Sequence, residues 1–172
     1  MRKASFFSMM VLLVLELGCG SGDLSCEQRK KEIEQLEEQL FAQDGNAVQD
    51  DIRAELMRAY AAFANACHDA DETPEMLFRR ADLLRSAGRF QEAMTQLRDV
   101  HDHYGEYEKR SVCAFLVGFI AEVELNDRAQ ARKTYEQVIE VHPNSEAATW
   151  ARQSLELLSS TEAGQRLEFP SE

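Results

Sequence analysis

Residues 118–151, GFIAEVELNDRAQARKTYEQVIEVHPNSEAATWA, decide the fold because helical stripes alternate in them with stop signals. The part before Asn126 is apolar nearly all round, which is typical of a helix buried on more than one side. Asn126 and Asp127 end this helix. A second stripe follows at helical spacing and comprises Ala131, Tyr135, Val138 and Val141. Because Pro143 stops this stripe, the stretch predicts two helices joined by a short turn.

The spacing of the second helix occurs once more upstream, which indicates a repeat. Three residues recur 38 positions later, in the order Ala93 to Ala131, Leu97 to Tyr135 and Val100 to Val138. A two-helix unit with a period in the high thirties is typical of a helical solenoid, in which each unit packs on its neighbours. We therefore predict an all-α fold, a short solenoid of helical hairpins.

Two stretches resemble the tetratricopeptide repeat (TPR), namely residues 77–93, LFRRADLLRSAGRFQEA, and residues 118–151. The TPR pattern is carried by Leu77, Ala81, Leu84, Gly88, Ala93 and Leu97, and then by Gly118, Asn126, Ala131, Tyr135 and Pro143. Asn126 replaces the turn glycine, and the period exceeds the ~34 residues of the family. The wider repeats are similar to those of outer-membrane assembly lipoproteins and of the Tol–Pal coordinator protein, which implies a scaffold of the bacterial envelope.

The resemblance implies a TPR-like domain over residues 47–158. Its predicted parts are a half unit (48–68), two full units (75–104 and 107–141) and a capping helix (145–158). Two and a half units with a cap meet the minimum of about three repeats that a solenoid core needs. The polar residues 159–172 are predicted to form a loose tail.

An amphipathic helix is predicted before the repeats, within a tether segment of residues 19–46. Ile33, Leu36 and Leu40 lie at helical spacing with charged residues between them. The stripe is shorter than the three to four heptads that indicate a coiled coil. Two interpretations follow: a spacer helix folded back on the domain, or a short zipper through which these three side chains join two copies of the chain.

The chain begins like an exported protein. Arg2 and Lys3 precede an apolar run over residues 6–15, and small residues follow it. The run is about half of the ~20 residues that a bilayer crossing needs. We therefore expect a signal peptide and no permanent span.

The end of this signal resembles that of bacterial lipoproteins. Leu17 and Gly18 precede Cys19, although Glu16 stands where that family usually has an aliphatic residue. The resemblance implies that residues 1–18 are removed and that Cys19 is lipidated, with the protein facing the periplasm. In some lipoproteins an aspartate after the cysteine retains the protein at the inner membrane. Gly20 occupies that position here, which favours the outer membrane. The alternative is ordinary cleavage after Gly20, which leaves a soluble periplasmic or secreted protein.

Cysteine usage does not predict a disulfide scaffold. Four cysteines are present, no two lie in a CxxC pair, and three remain if Cys19 is lipidated. Cys67 and Cys113 lie in apolar helical patterns and are predicted to be small buried hydrophobic residues. Cys26 lies in a polar stretch, where a bond between two molecules is the alternative to a free thiol.

Composition and motifs argue against catalysis and against nucleic acid. The formal net charge is −12, so phosphate backbones are repelled. No nucleophile triad, phosphate-binding glycine loop or HExxH motif occurs, and we predict no enzyme, no cofactor and no metal site. His101 and His103 are two residues apart and point about 200° apart on a helix, while His68 and His142 lie at helix ends, where they can interact with the helix dipole.

The resemblance implies a concave face that binds a peptide segment of another envelope protein. The candidate residues are Phe78, Arg79, Asp82, Arg85, Phe115, Phe119 and Glu122. Phe115 and Phe119 belong either to this groove or to the core beneath the cap. Arg79 and Arg85 either bind a partner's carboxylate or form surface ion pairs. The alternative function is a self-associating structural envelope protein that dimerises through its N-terminal helix.

Overall fold

The computed structural model describes residues 24–42 and 46–167 of the chain, with side chains from residue 49 to residue 160 in the second range. These residues form helices and no strand. The helices are α1 (Cys26–Ala42), α2 (Asn46–Ala66), α3 (Thr73–Ser86), α4 (Phe90–His103), α5 (Arg110–Val123), α6 (Arg128–Val141) and α7 (Glu146–Leu167). The signal peptide and Cys19 lie outside the described residues.

Each helix packs on the next one in sequence, and α5 also packs on α7. The result is three successive hairpins, α1–α2, α3–α4 and α5–α6, followed by α7 as a cap. The prediction of an all-α, TPR-like helical repeat is thereby confirmed. None of the helices in the described ranges combines the length and the apolar character that crossing a bilayer requires.

The hairpin α5–α6 is held by close packing of a small residue against a large one. A Cβ added to Gly118 would lie 2.7 Å from Cε1 of Tyr135, so only glycine lets the two helices approach this far. Tyr135 is fully buried, and its hydroxyl donates to Glu122 at 2.7 Å. Asn126 supplies the turn with φ 52°, a left-handed conformation that asparagine tolerates better than most residues. Asparagine therefore replaces the TPR glycine here at little cost.

The N-terminal helix completes a hairpin that the sequence predicts only as a half unit. Ile33 and Leu36 are 1% and 7% exposed and pack into a cluster with residues of α2, among them Leu56 and Phe63. Tyr60 of α2 donates its hydroxyl to Glu37 of α1. This is the geometry of the spacer interpretation, because Ile33 and Leu36 lie inside their own chain and not on a surface.

A disulfide bond joins Cys26 to Cys67, at a sequence separation of 41 residues. The bond connects the first residue of α1 to the end of α2 within one molecule. Cys67 is buried as predicted, but it is not a free thiol, and Cys26 is neither free nor bonded to a second molecule. The sequence prediction rested on the odd cysteine count, the apolar pattern around Cys67 and the polar stretch around Cys26, and none of these indicates that α1 folds back onto α2. Cys113 is a buried free thiol as predicted, and burial raises its pKa to about 12.

The C-terminal helix is longer than predicted. Ser145 caps it by accepting a hydrogen bond from the backbone N–H of Ala148 at 3.1 Å, and the helix then continues to Leu167. The prediction of a loose tail is therefore wrong for residues 159–167, and residues 168–172 lie outside the described residues. Once a helix is nucleated, each further residue adds a hydrogen bond at low cost, and most of residues 159–167 are compatible with helix. Polarity alone did not distinguish a solvated helix from a tail.

Candidate peptide-binding groove

The first helices of the three hairpins, α1, α3 and α5, surround a concave cavity of about 480 Å³ that we term the α3 groove. Its lining is largely apolar and comprises Glu37, Leu40, Phe41, Leu56, Tyr60, Phe78, Arg79, Ala81, Asp82, Leu83, Arg85, Leu97, Leu116, Phe119 and Ile120. Helix α3 forms its floor, because every residue from α3 in this set lies between Phe78 and Arg85. This is the face on which solenoids present a continuous surface to partners.

Five of the seven candidate groove residues line this cavity, namely Phe78, Arg79, Asp82, Arg85 and Phe119. They are contributed by two hairpins, α3–α4 and α5–α6. The repeat therefore brings together side chains that lie up to 41 positions apart in the sequence.

Phe115 and Glu122 lie elsewhere, in the contacts of α5 with α6 and α7. The Phe115 ring stacks on Tyr135 with centroids 5.4 Å apart and meets Trp150 edge-on at 5.5 Å. Glu122 accepts the hydrogen bond of the Tyr135 hydroxyl. Both residues thus support the packing of the second unit and its cap, and neither lines the α3 groove. Phe119, in contrast, is half-buried and belongs to the groove.

The guanidinium of Arg79 joins α3 to α1. It donates to Glu37 of α1 at 2.7 Å and to Glu75, one turn earlier on α3, at 2.9 Å. Burial lowers the pKa of Arg79, but the hydrogen bonds from these two carboxylates outweigh it and raise the pKa overall. Arg79 is therefore already paired with two carboxylates of its own chain, and its main role is to position α1 as one wall of the groove.

Arg85 makes the corresponding connection from α3 to α5. Its guanidinium lies 3.3 Å from Asp82 of the same helix and 3.3 Å from Glu124 of α5. These contacts are longer than the 2.7 and 2.9 Å contacts of Arg79, so they are weaker and more easily exchanged. Of the two arginines, Arg85 is the one that a ligand carboxylate can recruit with less loss.

A cluster around Glu75 stabilises the other edge of α3. The carboxylate accepts hydrogen bonds from Tyr107 at 2.6 Å and Lys109 at 2.7 Å in addition to Arg79. Burial alone would raise the pKa of Glu75, but these hydrogen bonds, with that of Lys109 foremost, lower it to about 2. Lys109 also lies over the Phe78 ring, 5.2 Å from its centroid. The cluster thereby fixes Phe78 at the groove floor.

Sequence reasoning missed the contribution of α1 to the groove. Leu40, predicted as a dimerisation residue, lines the groove, and Phe41 beside it is 87% exposed. Leu116 of α5 completes the apolar surface opposite them. The stripe of α1 indicated an apolar face, but the sequence carried no sign that this face would meet α3.

The described residues hold no group of three or more histidine, cysteine, aspartate or glutamate side chains that could bind a metal ion. His101 and His103 do not face each other: His103 contacts the backbone carbonyl of Asp99 on its own helix at 2.9 Å, while His101 points toward His142. The groove itself contains charged pairs but no histidine.

Comparison with known proteins agrees with this geometry. Residues 115–145, which include most of α5 and all of α6, match the family model of the tetratricopeptide repeat. No curated protein sequence matches the chain. Together with the array of hairpins, the match supports a TPR-like helical-repeat fold. Repeats of this class mediate protein–protein interaction, and they are typically scaffolds without enzymatic activity.

Proposed function

We propose that the protein is a non-enzymatic adaptor tethered in the bacterial cell envelope, where its α3 groove binds a segment of another envelope protein. The observation that carries this proposal is the groove itself, a concave, mostly apolar cavity of about 480 Å³ between the first helices of three consecutive hairpins. Apolar pockets with a few placed polar groups are typical binding sites.

The lining indicates the chemistry of the segment. Phe41, Phe119 and Leu116 offer an apolar surface along the length of the groove, while Arg79 is occupied by its own carboxylates. A ligand thus gains most of its affinity from apolar side chains presented at helical or extended spacing. Arg85, with its longer contacts, is the position at which a ligand carboxylate adds direction.

Two features support the envelope as the location. The sequence begins with an export signal that ends at Cys19, the proposed site of lipidation. The bond between Cys26 and Cys67 requires an oxidising compartment, such as the periplasm, for its formation. The disulfide is independent of the signal, since it is formed by residues of the folded domain.

The groove is tested by a charge placed on its wall. A photo-crosslinking amino acid at position 119 in intact cells is expected to capture one or two envelope proteins, and Phe119→Glu is expected to abolish their recovery from solubilised envelopes. Val123→Glu is the matched control, because Val123 is 56% exposed on the same helix but lies outside the groove. Circular dichroism of both variants is the check that each of them is folded.

The results separate the adaptor from its alternative. Recovery of the same interactors by Phe119→Glu would overturn the groove as the binding site. Recovery of the bait alone, together with a particle mass of two chains by light scattering, would favour the self-associating protein and direct attention to α1.

The lipid tether is tested separately. Cys19→Ser is expected to move the protein from the membrane fraction to the soluble periplasmic fraction, whereas an unchanged distribution would exclude lipidation.

A further inference from the structure

A pair of histidines that does not line the α3 groove connects two consecutive units. His101 lies in the last turn of α4, and His142 caps the end of α6. Their Nε2 atoms are 2.9 Å apart, and the two rings meet edge-on at 90°. The two helices belong to different hairpins, so these side chains form a contact between repeats.

Hydrogen bonding assigns the tautomers of the pair. Nδ1 of His101 lies 2.7 Å from Oδ1 of Asp102, and a carboxylate can only accept, so this Nδ1 carries a proton. Neutral His101 therefore has a lone pair on Nε2, and Nε2–H of His142 donates to it. One proton is thus shared between the Nε2 atoms of His101 and His142, which face each other.

A metal ion can take the place of the shared proton when His142 changes tautomer: the proton moves from its Nε2 to its Nδ1, and both Nε2 atoms then present a lone pair to the ion. Metal-binding histidines almost always donate their other ring N–H to a carboxylate or carbonyl, as His101 does to Asp102. Two nitrogens bound to a tetrahedral zinc ion at ~2.0–2.1 Å are about 3.3 Å apart. The observed separation of 2.9 Å needs to open by only a few tenths of an ångström.

Space and charge at the pair are compatible with a cation. A cavity of about 450 Å³ lies beside it, open enough for water to fill the other coordination positions, with Asp102 and Glu140 in its lining. The nearby cations are Arg98, in the same lining, and Arg110, whose Nε donates to the His101 carbonyl at 2.8 Å.

We propose that His101 and His142 form a two-imidazole site for a late first-row divalent ion such as Zn²⁺. Water molecules complete the coordination of the ion. Imidazole suits zinc, copper and nickel. With two protein ligands the ion is exchangeable, and its effect is to clamp the end of α4 to the end of α6. The site thus sets the angle between consecutive units of the solenoid.

The experiment is a titration of the full-length mature protein with ZnCl₂ in a buffer free of phosphate and chelators, by calorimetry and by thermal unfolding. We expect one zinc per chain and a rise in Tm with zinc concentration, since a ligand that binds only the folded state stabilises it. His101→Gln and His142→Gln are each expected to abolish both effects, and Asp102→Asn to weaken affinity about tenfold.

His103→Gln is the matched control, because His103 lies on the same helix as His101 and its Nδ1 contacts the backbone carbonyl of Asp99, one turn earlier. It is expected to bind zinc like the wild type. A second readout on the wild type avoids dependence on variant folding: with Cu²⁺, electron paramagnetic resonance is expected to show two coordinated imidazole nitrogens. The proposal is overturned if the wild type binds no zinc, or if zinc binding survives in both glutamine variants.

Discussion

The first and the third hairpins reach the same geometry by different physical means. In α5–α6, Tyr135 donates to Glu122 across the hairpin, and in α1–α2, Tyr60 donates to Glu37 in the same way. The third hairpin adds the close approach of Gly118 to Tyr135, and it carries the TPR family match. The first hairpin has no such glycine and is closed by a covalent bond between its ends.

The difference shows how a degenerate repeat keeps its shape. Where small and large residues interlock, packing density fixes the distance between helices. Where that pattern is lost, the disulfide and the ion pairs of Lys30 with Glu72 and of Arg79 with Glu37 hold α1 in place. The family model matches α5–α6, where small and large residues interlock. Ion pairs and a disulfide such as those of α1–α2 are not part of its pattern.

The largest expected effect is that of Tyr135→Ala in the third hairpin. Tyr135 is 0% exposed and stacks on Phe115, so its truncation leaves a cavity and removes the hydrogen bond to Glu122. We expect a loss of about 3–5 kcal/mol of unfolding free energy by urea denaturation. Tyr135→Phe, which retains the ring, is expected to lose about 1 kcal/mol; equal losses for the two variants would contradict packing as the main contribution.

The next effect separates the first hairpin from the third. Replacing Cys26 and Cys67 together by alanine is expected to cost about 2–4 kcal/mol, because the disulfide restricts the unfolded chain. Dithiothreitol is expected to lower the Tm of the wild type and to leave the double variant unchanged. Cys113→Ala is the control, since Cys113 is free and its variant should still respond to the reductant. A wild type insensitive to reduction would argue against the bond.

Gly118→Ala tests the close approach in the third hairpin directly. The new methyl group would lie within 3.0 Å of two atoms of Tyr135, a side chain too tightly enclosed to move away. We expect a loss of about 1–3 kcal/mol from overpacking. Gly105→Ala is the matched control, because no atom lies within 4 Å of a Cβ added there. Similar unfolding midpoints for the two variants would show that the helices can separate without cost.

The smallest effect concerns pH and the cluster on α3 between the two hairpins. The folded pKa of Glu75 is lowered to about 2 from a reference value of 4.5, so its contribution is present above pH 4.5 and is lost as the pH falls from there toward 2. Glu75→Gln is expected to reduce the slope of stability against pH in this window, measured by chemical denaturation. Glu106→Gln, at an exposed carboxylate, serves as the control and should retain the wild-type slope.

The sequence was most informative where periodicity and turn chemistry agree. Ala131 and Tyr135 predicted α6, and Asn126 predicted the turn before it, because these signals act over a few residues. Five groove residues followed from the same repeat logic. The disulfide and the docking of α1 could not be predicted, since both depend on a long-range contact between polar-flanked segments. The helical extent of α7 was missed because propagation beyond a cap leaves no apolar stripe.

The position of the disulfide also has a mechanical consequence. If Cys19 bears the lipid, the chain from residue 19 to residue 26 is a tether that spans at most about 25 Å between the membrane and the domain. Any pull from the membrane then enters the domain at Cys26 and passes through a covalent bond into the end of α2. The load bypasses the contacts between α1 and α3, so α1 is not peeled from the groove that it helps to form. A tethered adaptor built in this way can bear tension between membrane and partner without opening its binding face.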